Sequence, residues 1–403
     1  MSEAGAGPGA YRAHGGAAGF IAPGATLGVL GGGQLGRMFV HAAQQLGYRT
    51  AVLEPDASSP AAQLAHEHVC TRYDDADGLA RLAEGCAAIT TEFENVPATT
   101  LAALASKRPV APSASAVAIC QDRAAEKAAF TRAGVACAPY ALIAAVGDAA
   151  RVDSSLFPAF LKTSRLGYDG KGQRHVATQP ALADALDAFG GAACVLEKRL
   201  SLAGEISVIV ARGRDGEVVH LPPQENVHRD GILAITRVPA VAASAAQQRE
   251  AVALAIRMAE FLDYVGVLCV EFFLLEDGAL IANEMAPRPH NSGHYSIDAC
   301  DVSQFELQVR TLVGAPLCAP RLHSPCVMLN LLGDLWFGEA SAEAVEPPWQ
   351  RLLALAGVHL HLYGKAEPRR GRKMGHVTIT ASSADEAERV ARAAAECLGL
   401  AFD

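Results

Sequence analysis

The chain lacks the features that would place it in a membrane or brace it with cysteines. No apolar run in its 403 residues is long enough to cross a bilayer. Its ten cysteines are scattered singly, without a C-x-x-C motif or another paired spacing. This usage argues against a disulfide framework or a cysteine zinc site and is typical of a reducing cytosol. We therefore expect a soluble, globular, cytoplasmic protein.

The chain also lacks an excess of positive charge. Its formal net charge of −9 argues against nonspecific binding to nucleic acid, although a local basic pocket stays compatible with it. Residues 1–24 are rich in Ala and Gly and contain no apolar segment typical of a signal peptide. We expect them to form a disordered extension. The length suffices for two or three domains.

Residues 267–294, VLCVEFFLLEDGALIANEMAPRPHNSGH, have the pattern of a β-hairpin followed by a polar loop. Asp277-Gly278 is a favoured two-residue turn, and a turn there places Glu271 directly opposite Glu284. Opposed like charges destabilise a hairpin unless a cation lies between them, and Mg²⁺ binds carboxylate oxygens together with substrate phosphates. The alternative is that both glutamates face solvent.

Three further segments carry groups suited to anions. The loop after the hairpin supplies anion donors beside the expected metal, namely Arg288, His290, Asn291, Ser292 and His294. Lys162 ends a short apolar strand, and a lysine is seldom buried unless it is paired. Residues 165–173, RLGYDGKGQ, combine glycines with basic side chains, so backbone N–H groups there can approach phosphates. The segment lacks the G-K-[ST] of a Walker A loop, and a plain surface hairpin is the alternative.

The N-terminal segment has the pattern of a βαβ unit. Its turn, Gly31 to Gly36, matches G-x-G-x-x-G and is followed about 20 residues later by Glu54, as in dinucleotide sites. A helix N-terminus binds other polar ligands too, so NAD(P) binding stays open. A later strand ends at Glu92 and Glu94, where parallel sheets bind ligands. The alternative, with equal weight, is that Glu92 and Glu94 cap a helix or carry surface charge.

The rest of the chain continues with alternating strands and helices. We expect helices at 122–133, 180–189, 245–262 and 385–398. We expect a polar loop at 225–228, which carries His228. The basic run at 365–373 is either a solvated loop or an anion clamp.

Together these segments resemble the ATP-grasp superfamily and, within it, the 5-(carboxyamino)imidazole ribonucleotide synthase family of purine biosynthesis. The resemblance covers roughly residues 27–403 and rests on LGVLGGGQLGRM, TTEFENV, GYDGKGQ, ENVHRDGI, NEMAPRPHNSGH and GRKMGH. It implies an α/β and α+β fold in three parts: a Rossmann-like pre-ATP-grasp domain (25–118), an ATP-grasp domain (119–316) and a small β-rich C-terminal domain (317–403).

The resemblance implies a site for ATP and Mg²⁺. Glu271 and Glu284 would bind the metal, and Asn283 would lie with Glu284 at the phosphate end. The other residues expected around the nucleotide are Arg123, Lys162, the lid Gly167, Tyr168, Asp169, Gly170, Lys171, Gly172 and Gln173, the adenine segment Glu197, Lys198, Arg199 and Leu200, then Glu205 and His228.

The resemblance also implies an acceptor site, where the glycine-rich turn meets a ribonucleotide and not a dinucleotide. Residues expected around the ribonucleotide are Gln34, Leu35, Glu92, Tyr168, Asp169, Lys365 and Arg372, the last two at its 5′-phosphate. Residues expected around bicarbonate are Arg288, Asn291, Ser292 and His294. The expected catalytic residues are Asp169, Arg288 and His294, and either Asp169 or His294 would exchange the proton.

The implied reaction carboxylates aminoimidazole ribonucleotide with bicarbonate and ATP through carboxyphosphate, in a homodimer. The amine attacks carboxyphosphate directly or after release of CO₂, and both routes stay open. Three alternatives stay open: another ATP-grasp ligase, such as a formate-dependent glycinamide ribonucleotide transformylase; an NAD(P)-dependent oxidoreductase; and a binding module without catalysis. The HNSGH and GRKMGH loops favour the carboxylating enzyme over the transformylase. An oxidoreductase leaves the hairpin and GYDGKGQ without a role, and a binding module does not require two opposed carboxylates.

Overall fold

The computed structural model of the chain describes residues 19–167, 172–337 and 343–402. Residues 19–24, which we expected to be disordered, pack on the first domain. The Ile21 N–H donates to the Val313 carbonyl (2.9 Å), and the Tyr48 hydroxyl donates to the Ile21 carbonyl (2.7 Å). The Ile21 side chain packs against the core of that domain, so the expectation of disorder is wrong for this segment.

The N-terminal domain contains a parallel sheet covered by helices. Its elements are β1 (Thr26–Leu30), α1 (Gln34–Gln45), β2 (Arg49–Leu53), β3 (Glu67–Val69), α2 (Ala76–Gly85), β4 (Ala88–Thr91), α3 (Ala98–Ala105) and α4 (Ala114–Cys120). The strand order is β3-β2-β1-β4. β1, β2 and β4 are almost entirely buried, as is typical of a parallel sheet with helices on its faces, whereas the edge strand β3 buries only Val69.

A small antiparallel sheet begins the central domain. Its elements are α5 (Arg123–Arg132), β5 (Tyr140–Ile143), β6 (Ala159–Thr163), β7 (Gln173–Val176), α6 (Pro180–Asp187) and β8 (Cys194–Lys198), with the strand order β5-β8-β6-β7. Asp122 caps α5, because its carboxylate accepts the N–H groups of Ala124 and Ala125. The predicted helix over 122–133 is confirmed to within one residue at each end.

A large antiparallel sheet spans the rest of the chain. Its strands and the neighbouring helices are β9 (Leu202–Arg212), β10 (Val218–His220), β11 (Gln224–Arg229), β12 (Ile232–Val238), α7 (Ala245–Phe261), β13 (Gly266–Leu275), β14 (Leu280–Ala286), α8 (Ser296–Ala299), α9 (Gln304–Val313), β15 (Cys326–Leu332), α10 (Trp349–Leu352), β16 (Val358–Leu362), β17 (Lys373–Thr380) and α11 (Ala384–Leu398). The order is β14-β13-β9-β11-β12-β15-β17-β16, and β10 pairs with β9.

The C-terminal strands extend the central sheet, because β15 pairs with β12. Helix α11 covers this extension with a face of small and apolar residues that includes Ala391, Ala395 and Leu398. The basic loop between β16 and β17 is thereby fixed near the N-terminal domain: the Lys365 ammonium donates to the Gln34 side chain at 2.8 Å. None of the helices in the described ranges is long and apolar enough to span a membrane.

Candidate functional site

Two carboxylates fill the glycine-rich turn after β1, and we call Glu54 and Glu92 the turn carboxylates. Glu92 accepts the N–H of Gly33 (2.9 Å) and that of Gly36 (3.1 Å), and Glu54 accepts the N–H of Gly32 (2.8 Å). Helix α1 has no capping side chain of its own, so Glu92 lies where a helix N-terminus otherwise binds an anion. Burial raises the pKa of Glu92, and the two N–H groups partly offset that effect.

This arrangement argues against a dinucleotide site. A pyrophosphate at the turn would meet the negative charge of Glu92 and would lack the N–H donors that Glu92 already uses. Glu54 is also engaged, because it accepts the Tyr73 hydroxyl at 2.5 Å. A Cβ on Gly31 would lie 2.6 Å from the Glu92 side chain, which leaves space there only for glycine. The oxidoreductase interpretation therefore loses its main support.

The predicted hairpin is present, but its turn differs from the prediction. Leu275 pairs with Ala279, so three residues form the loop, and Gly278 has a positive φ of 86°. A bulge in β14 then shifts the register between Val270 and Phe272. Because the bulge compensates for the longer loop, Glu271 still lies beside Glu284, as predicted.

We call Glu271 and Glu284 the hairpin carboxylates. Glu271 is buried, and Glu284 has 40% of its side chain exposed to the cleft, where it pairs with Arg123 at 2.9 Å. Burial raises the pKa of Glu271, with a further contribution from Glu284. Desolvation raises the pKa of Glu284 too, but Arg123 and then Lys162 outweigh it, so that its pKa falls. These opposite pKa shifts fit a pair of carboxylates that share one proton.

Two oxygen atoms at the hairpin carboxylates and the neighbouring Asn283 lack a hydrogen-bond partner in the described part of the chain and are suited to a divalent cation. Within the described residues, Glu271 Oε1 and Asn283 Oδ1 are buried and have no hydrogen-bond partner. His290 Nε2 lies 3.5 Å from Glu271 Oε1, but burial lowers the pKa of His290 to about 3, so this contact is not an ion pair. Unpartnered carboxylate and amide oxygens are ligands of Mg²⁺, and the residues present therefore fit this ion.

Helix α5 holds the segment of β14 around Glu284. Arg123 pairs with Glu284, the Lys127 ammonium donates to the Asn283 carbonyl (2.8 Å), and Glu126 accepts the Met285 N–H (2.6 Å). Three consecutive residues of β14 are therefore fixed by side chains from one face of one helix, since 123, 126 and 127 are neighbours at helical spacing. The sequence analysis did not single out Glu126 or Lys127.

The start of α5 is bonded to the strand end that leads to the glycine-rich lid. The Arg123 N–H donates to the Ser164 carbonyl at 2.9 Å. Arg165 pairs with Asp122, the N-cap of the helix, at 3.0 Å. The same helix thus contacts both the base of the lid and the hairpin carboxylates.

Two lysines share one oxygen of Glu197. Lys162 lies 3.0 Å and Lys127 lies 3.4 Å from Glu197 Oε2. Burial raises the pKa of Glu197, but the two lysines outweigh it and the net shift is downward. The Lys127 side chain has an exposure of 0%, so it is a buried partner of Glu197, whereas the Lys162 side chain is 11% exposed.

Glu205 and His228 face each other on β9 and β11. His228 Nδ1 lies 2.9 Å from Glu205 Oε2. Burial lowers the pKa of His228, but Glu205 and Glu271 outweigh it and raise it to about 9, which makes this histidine a cation. The prediction of a loop at 225–228 was wrong: these residues belong to β11, where buried polar side chains such as Asn226 bond within the protein.

A cavity of about 470 Å³ joins all three domains. Among the predicted residues, those that line it are Gln34, Leu35, Glu92, Arg123, Gly167, Glu271, Glu284, Arg288, Asn291 and Lys365. Glu94, His290 and Lys373, which lie in segments that the sequence analysis marked as ligand-binding or anion-binding, line it as well, and so do Phe93 and Glu126, which it did not single out. A larger groove of about 760 Å³ beside β5 is open and contains none of these residues, so its size gives it no claim to the chemistry.

The loop after β14 places one histidine in the cavity, and it is not the predicted one. His294 is fully buried, bonds Gln304 at 3.0 Å and packs on Phe305, so it does not line the cavity. Burial lowers its pKa well below the usual value. His290 lies at the cavity instead, because a 3-10 turn follows it and directs residue 294 inward. We correct the expectation for His294 accordingly.

Other predicted residues lie outside the cavity lining. Ser292 is buried behind His290, and Arg372 donates to the Glu367 carbonyl at the basic loop. Lys198 ends β8, and Arg199 and Leu200 connect it to β9 of the large sheet; Gly172 directly precedes β7, which begins at Gln173. Tyr168, Asp169, Gly170 and Lys171 lie outside the described residues.

A second group of metal-binding residue types lies away from the cavity. Asp298, His361 and His376 bring one ligand atom each within 4.8 Å of one another. His361 bonds Asp298 at 2.8 Å, and its ring stacks on His376 with 10° between the planes. Stacked imidazoles direct their lone pairs side by side and not toward one ion, so this geometry favours a structural contact between α8, β16 and β17.

Three domain families match consecutive parts of the chain. Residues 24–121 match the ribonucleotide synthetase preATP-grasp domain, residues 128–305 match the ATP-grasp domain, and residues 326–390 match the phosphoribosylaminoimidazole carboxylase C-terminal domain. Their order is the one that the sequence motifs implied.

Relatives and solved structures agree over nearly the full length. The N5-carboxyaminoimidazole ribonucleotide synthase of Brucella melitensis is 45% identical over 89% of this chain and 97% of its own. A crystal structure of an N5-carboxyaminoimidazole ribonucleotide synthetase with ADP has a TM-score of 0.87 at 38% identity, covering 94% of this chain and 98% of the other.

The Aspergillus clavatus enzyme, solved with ADP and 5-aminoimidazole ribonucleotide, has a TM-score of 0.84 at 32% identity and covers 93% and 98%. The domain order, the identity and the coverage agree with the geometry of the cavity. The chain belongs to the N5-carboxyaminoimidazole ribonucleotide synthase family of ATP-grasp ligases.

Proposed function

We propose that this protein carboxylates 5-aminoimidazole ribonucleotide with bicarbonate and ATP, giving N5-carboxyaminoimidazole ribonucleotide, ADP and phosphate in purine biosynthesis. The observation that carries the proposal is the cavity that joins Glu271 and Glu284 with the β1 turn and with Lys365. A phosphoryl donor and a phosphorylated acceptor need such a shared space, because the intermediate must not escape. The named ligands of the relatives, ADP and the ribonucleotide, support the same substrates.

ATP would lie between the small sheet and the large sheet. Its adenine would meet the connection Glu197, Lys198, Arg199 and Leu200, and its ribose would bond Glu205. Lys162, His228 and Arg123 would meet the phosphates, with Asn283 at the γ-phosphate end. Their positive charge suits phosphates, since His228 is a cation at neutral pH.

Glu271 and Glu284 would hold Mg²⁺, which supplies charge neutralisation between the β- and γ-phosphates. The unpartnered Oε1 of Glu271 and the cleft-exposed carboxylate of Glu284 support this role. Arg123 would keep Glu284 ionised and turned toward the cleft. Lys162 would leave Glu197 for the nucleotide, and Lys127 would remain to compensate the charge of Glu197.

The ribonucleotide would occupy the end of the cavity formed by the β1 turn and the C-terminal loop. Gln34, Leu35 and Glu92 would border its base and sugar, with Tyr168 and Asp169 from the lid. Lys365 and Arg372 would bind the 5′-phosphate, and their positive charge supports this assignment. The lid from Gly167 to Gln173, including Gly170, Lys171 and Gly172, would exclude water from the carboxyphosphate.

The chemistry would take two steps. A bicarbonate oxygen attacks the γ-phosphorus, the bond to ADP breaks, and carboxyphosphate forms. The exocyclic amine then attacks the carboxyl carbon, phosphate leaves, and the amine loses a proton. Arg288 and Asn291 would bind the carboxyl group, Ser292 would support the loop, and neutral His290, in place of His294, is positioned beside the reacting groups with Asp169 as a further candidate.

Assembly and location follow from the family resemblance. We propose a homodimer that works in the cytoplasm. Sedimentation of the purified protein tests the dimer.

Release of ADP from Mg-ATP and bicarbonate, with and without 5-aminoimidazole ribonucleotide, tests the proposed reaction. We expect strong stimulation by the ribonucleotide and entry of labelled bicarbonate carbon into an acid-labile carbamate. Turnover with formate and glycinamide ribonucleotide instead would contradict the assigned acceptor while leaving the ATP site intact. Absence of ATP turnover under all conditions would contradict the ligase assignment.

A further inference from the structure

One buried glutamine, Gln304, bonds the backbone of the histidine that lies at the cavity. Gln304 is the first residue of α9 and has a relative exposure of 0%. Its Oε1 accepts the His290 N–H at 2.8 Å, and its Nε2 donates to the His290 carbonyl at 2.8 Å. A single side chain therefore satisfies both backbone polar groups of His290, which fixes the backbone where this loop meets the cavity.

The two backbone groups of His290 fix the orientation of the Gln304 amide. A backbone N–H can only donate, so the amide oxygen must face it, and a carbonyl can only accept, so the amide nitrogen must face that carbonyl. The same amide nitrogen lies 3.0 Å from His294 Nδ1. Because an amide nitrogen donates and does not accept, His294 Nδ1 must be the acceptor and carries no proton.

The hydrogen bond to Gln304 also decides where the ring proton of His294 lies. An imidazole keeps at least one ring proton, so with Nδ1 bare the proton is on Nε2. His294 Nε2 is buried and has no hydrogen-bond partner within the described ranges. The Gln304 amide is therefore the polar group that anchors this ring, and it anchors it away from the cavity lining.

The same helix holds the loop at a second point. The Ser296 hydroxyl donates to the Gly293 carbonyl at 2.6 Å and accepts the Gln304 N–H at 3.0 Å. A Cβ on Gly293 would lie 2.6 Å from Gln304 Oε1, so a side chain there would displace the amide. Between these two points the 3-10 turn leaves His290 and Asn291 at the cavity.

We propose that Gln304 is a positioning residue that directs His290 to the cavity and His294 away from it. Gln304 is not among the described residues that line the cavity, so it acts through the loop that it holds. Its effect on catalysis rests on the function proposed above, in which this loop binds the carboxyl group. The hydrogen bonds of Gln304 do not depend on that function, since they are made within the chain alone.

Long-range ¹H–¹⁵N NMR of protein labelled on its thirteen histidines tests these bonds, with His294→Gln to assign the signal. We expect a bare Nδ1 and a protonated Nε2 on His294 in the natural protein. Gln304→Met keeps the length of the side chain but removes the donor, so it should give a mixture of both tautomers. Gln308→Met is the matched control, because Gln308 is a buried amide on the same helix that bonds Thr90 and Thr91 of β4. A proton on His294 Nδ1 in the natural protein would overturn the proposal.

Kinetics test the positioning role. We expect Gln304→Met to lower kcat at least about tenfold and to raise the KM for bicarbonate at least about threefold, because the loop that binds the carboxyl group is displaced. The KM for ATP should change by less than about twofold, since other elements hold the nucleotide, and Gln308→Met should keep all three constants.

A lower kcat with both KM values unchanged would indicate only a loss of folded protein and would overturn the positioning role. Gln304→Asn, whose amide is one methylene shorter, is the second variant if Gln304→Met does not fold, and the same changes are expected of it. Inactivity of the natural protein with the ribonucleotide would contradict the proposed function, whereas the tautomer of His294 would still decide whether Gln304 holds the loop.

Discussion

Glu92 of the turn carboxylates and Glu271 of the hairpin carboxylates line the same cavity but differ in their hydrogen bonds. Glu92 accepts two backbone N–H groups, whereas Glu271 Oε1 has no partner among the described residues. An acid whose oxygens are used holds the protein together, and one whose oxygens are open can bind a cation. The residue type alone does not separate these roles.

The largest expected effect comes from a change in the hairpin carboxylates. Glu284→Gln removes the charge that Arg123 orients toward the cleft, and we expect kcat for ADP release to fall about 10²- to 10³-fold. Mn²⁺ electron paramagnetic resonance with ADP should show weaker ion binding. Glu276→Gln, an exposed acid at the turn of the same hairpin, is the control. Equal ion binding by Glu284→Gln and the natural protein would place the metal elsewhere.

A smaller effect is expected at Glu92, one of the turn carboxylates, and it concerns the free energy of unfolding. Glu92→Ala leaves the N–H groups of Gly33 and Gly36 without their acceptor, which should lower the free energy of unfolding by about 1–3 kcal/mol. Glu92→Gln keeps one acceptor oxygen and should lose less. Urea denaturation measures both. Stability of Glu92→Ala equal to that of Glu92→Gln would show that Glu92 does not hold the turn.

The last expected effect is a pH dependence of stability at Glu126, beside the hairpin carboxylates. Burial raises the pKa of Glu126 from its usual 4.5 to about 8. Between these values the native protein keeps a proton that the unfolded chain has released. The free energy of unfolding therefore falls as pH rises through this window, by at most about 1.4 kcal/mol per pH unit.

Glu126→Gln still accepts the Met285 N–H but does not titrate, so urea denaturation from pH 5 to 8 should show a flatter slope than the natural protein. Glu250→Gln, at an exposed position, should keep the natural slope. Identical slopes for Glu126→Gln and the natural chain would mean that Glu126 is ionised throughout.

The comparison also shows what a sequence can indicate. Patterns of apolar residues and turn dipeptides predicted the β1 unit and the hairpin, because both depend on local spacing. The three-residue loop and the bulge were not predicted, since they depend on the φ of Gly278 and on packing against α5. The longer loop shifts the strand register by one residue and the bulge shifts it back. The predicted position of Glu271 beside Glu284 was therefore nevertheless right.

Buried polar residues were the main source of error. Residues 225–228 have a polar composition typical of loops, yet they form β11, because partners from other elements satisfy their side chains. Lys127 gave no signal, since its partners Glu197 and Asn283 are distant in sequence. The choice of His294 over His290 failed because the 3-10 turn between them cannot be read from residue types.

Because helix α5 is bonded to two separate segments, it couples their movements. Its first turn is bonded to Ser164 and Arg165 at the base of the lid, and its next turn fixes the β14 residues around Glu284. A displacement of the lid base must either break these bonds or rotate the helix with it. Rotation would move the ends of Arg123 and Lys127 together. The strand end at Ser164 and the segment of β14 around Glu284 would then move as one unit, joined by this helix.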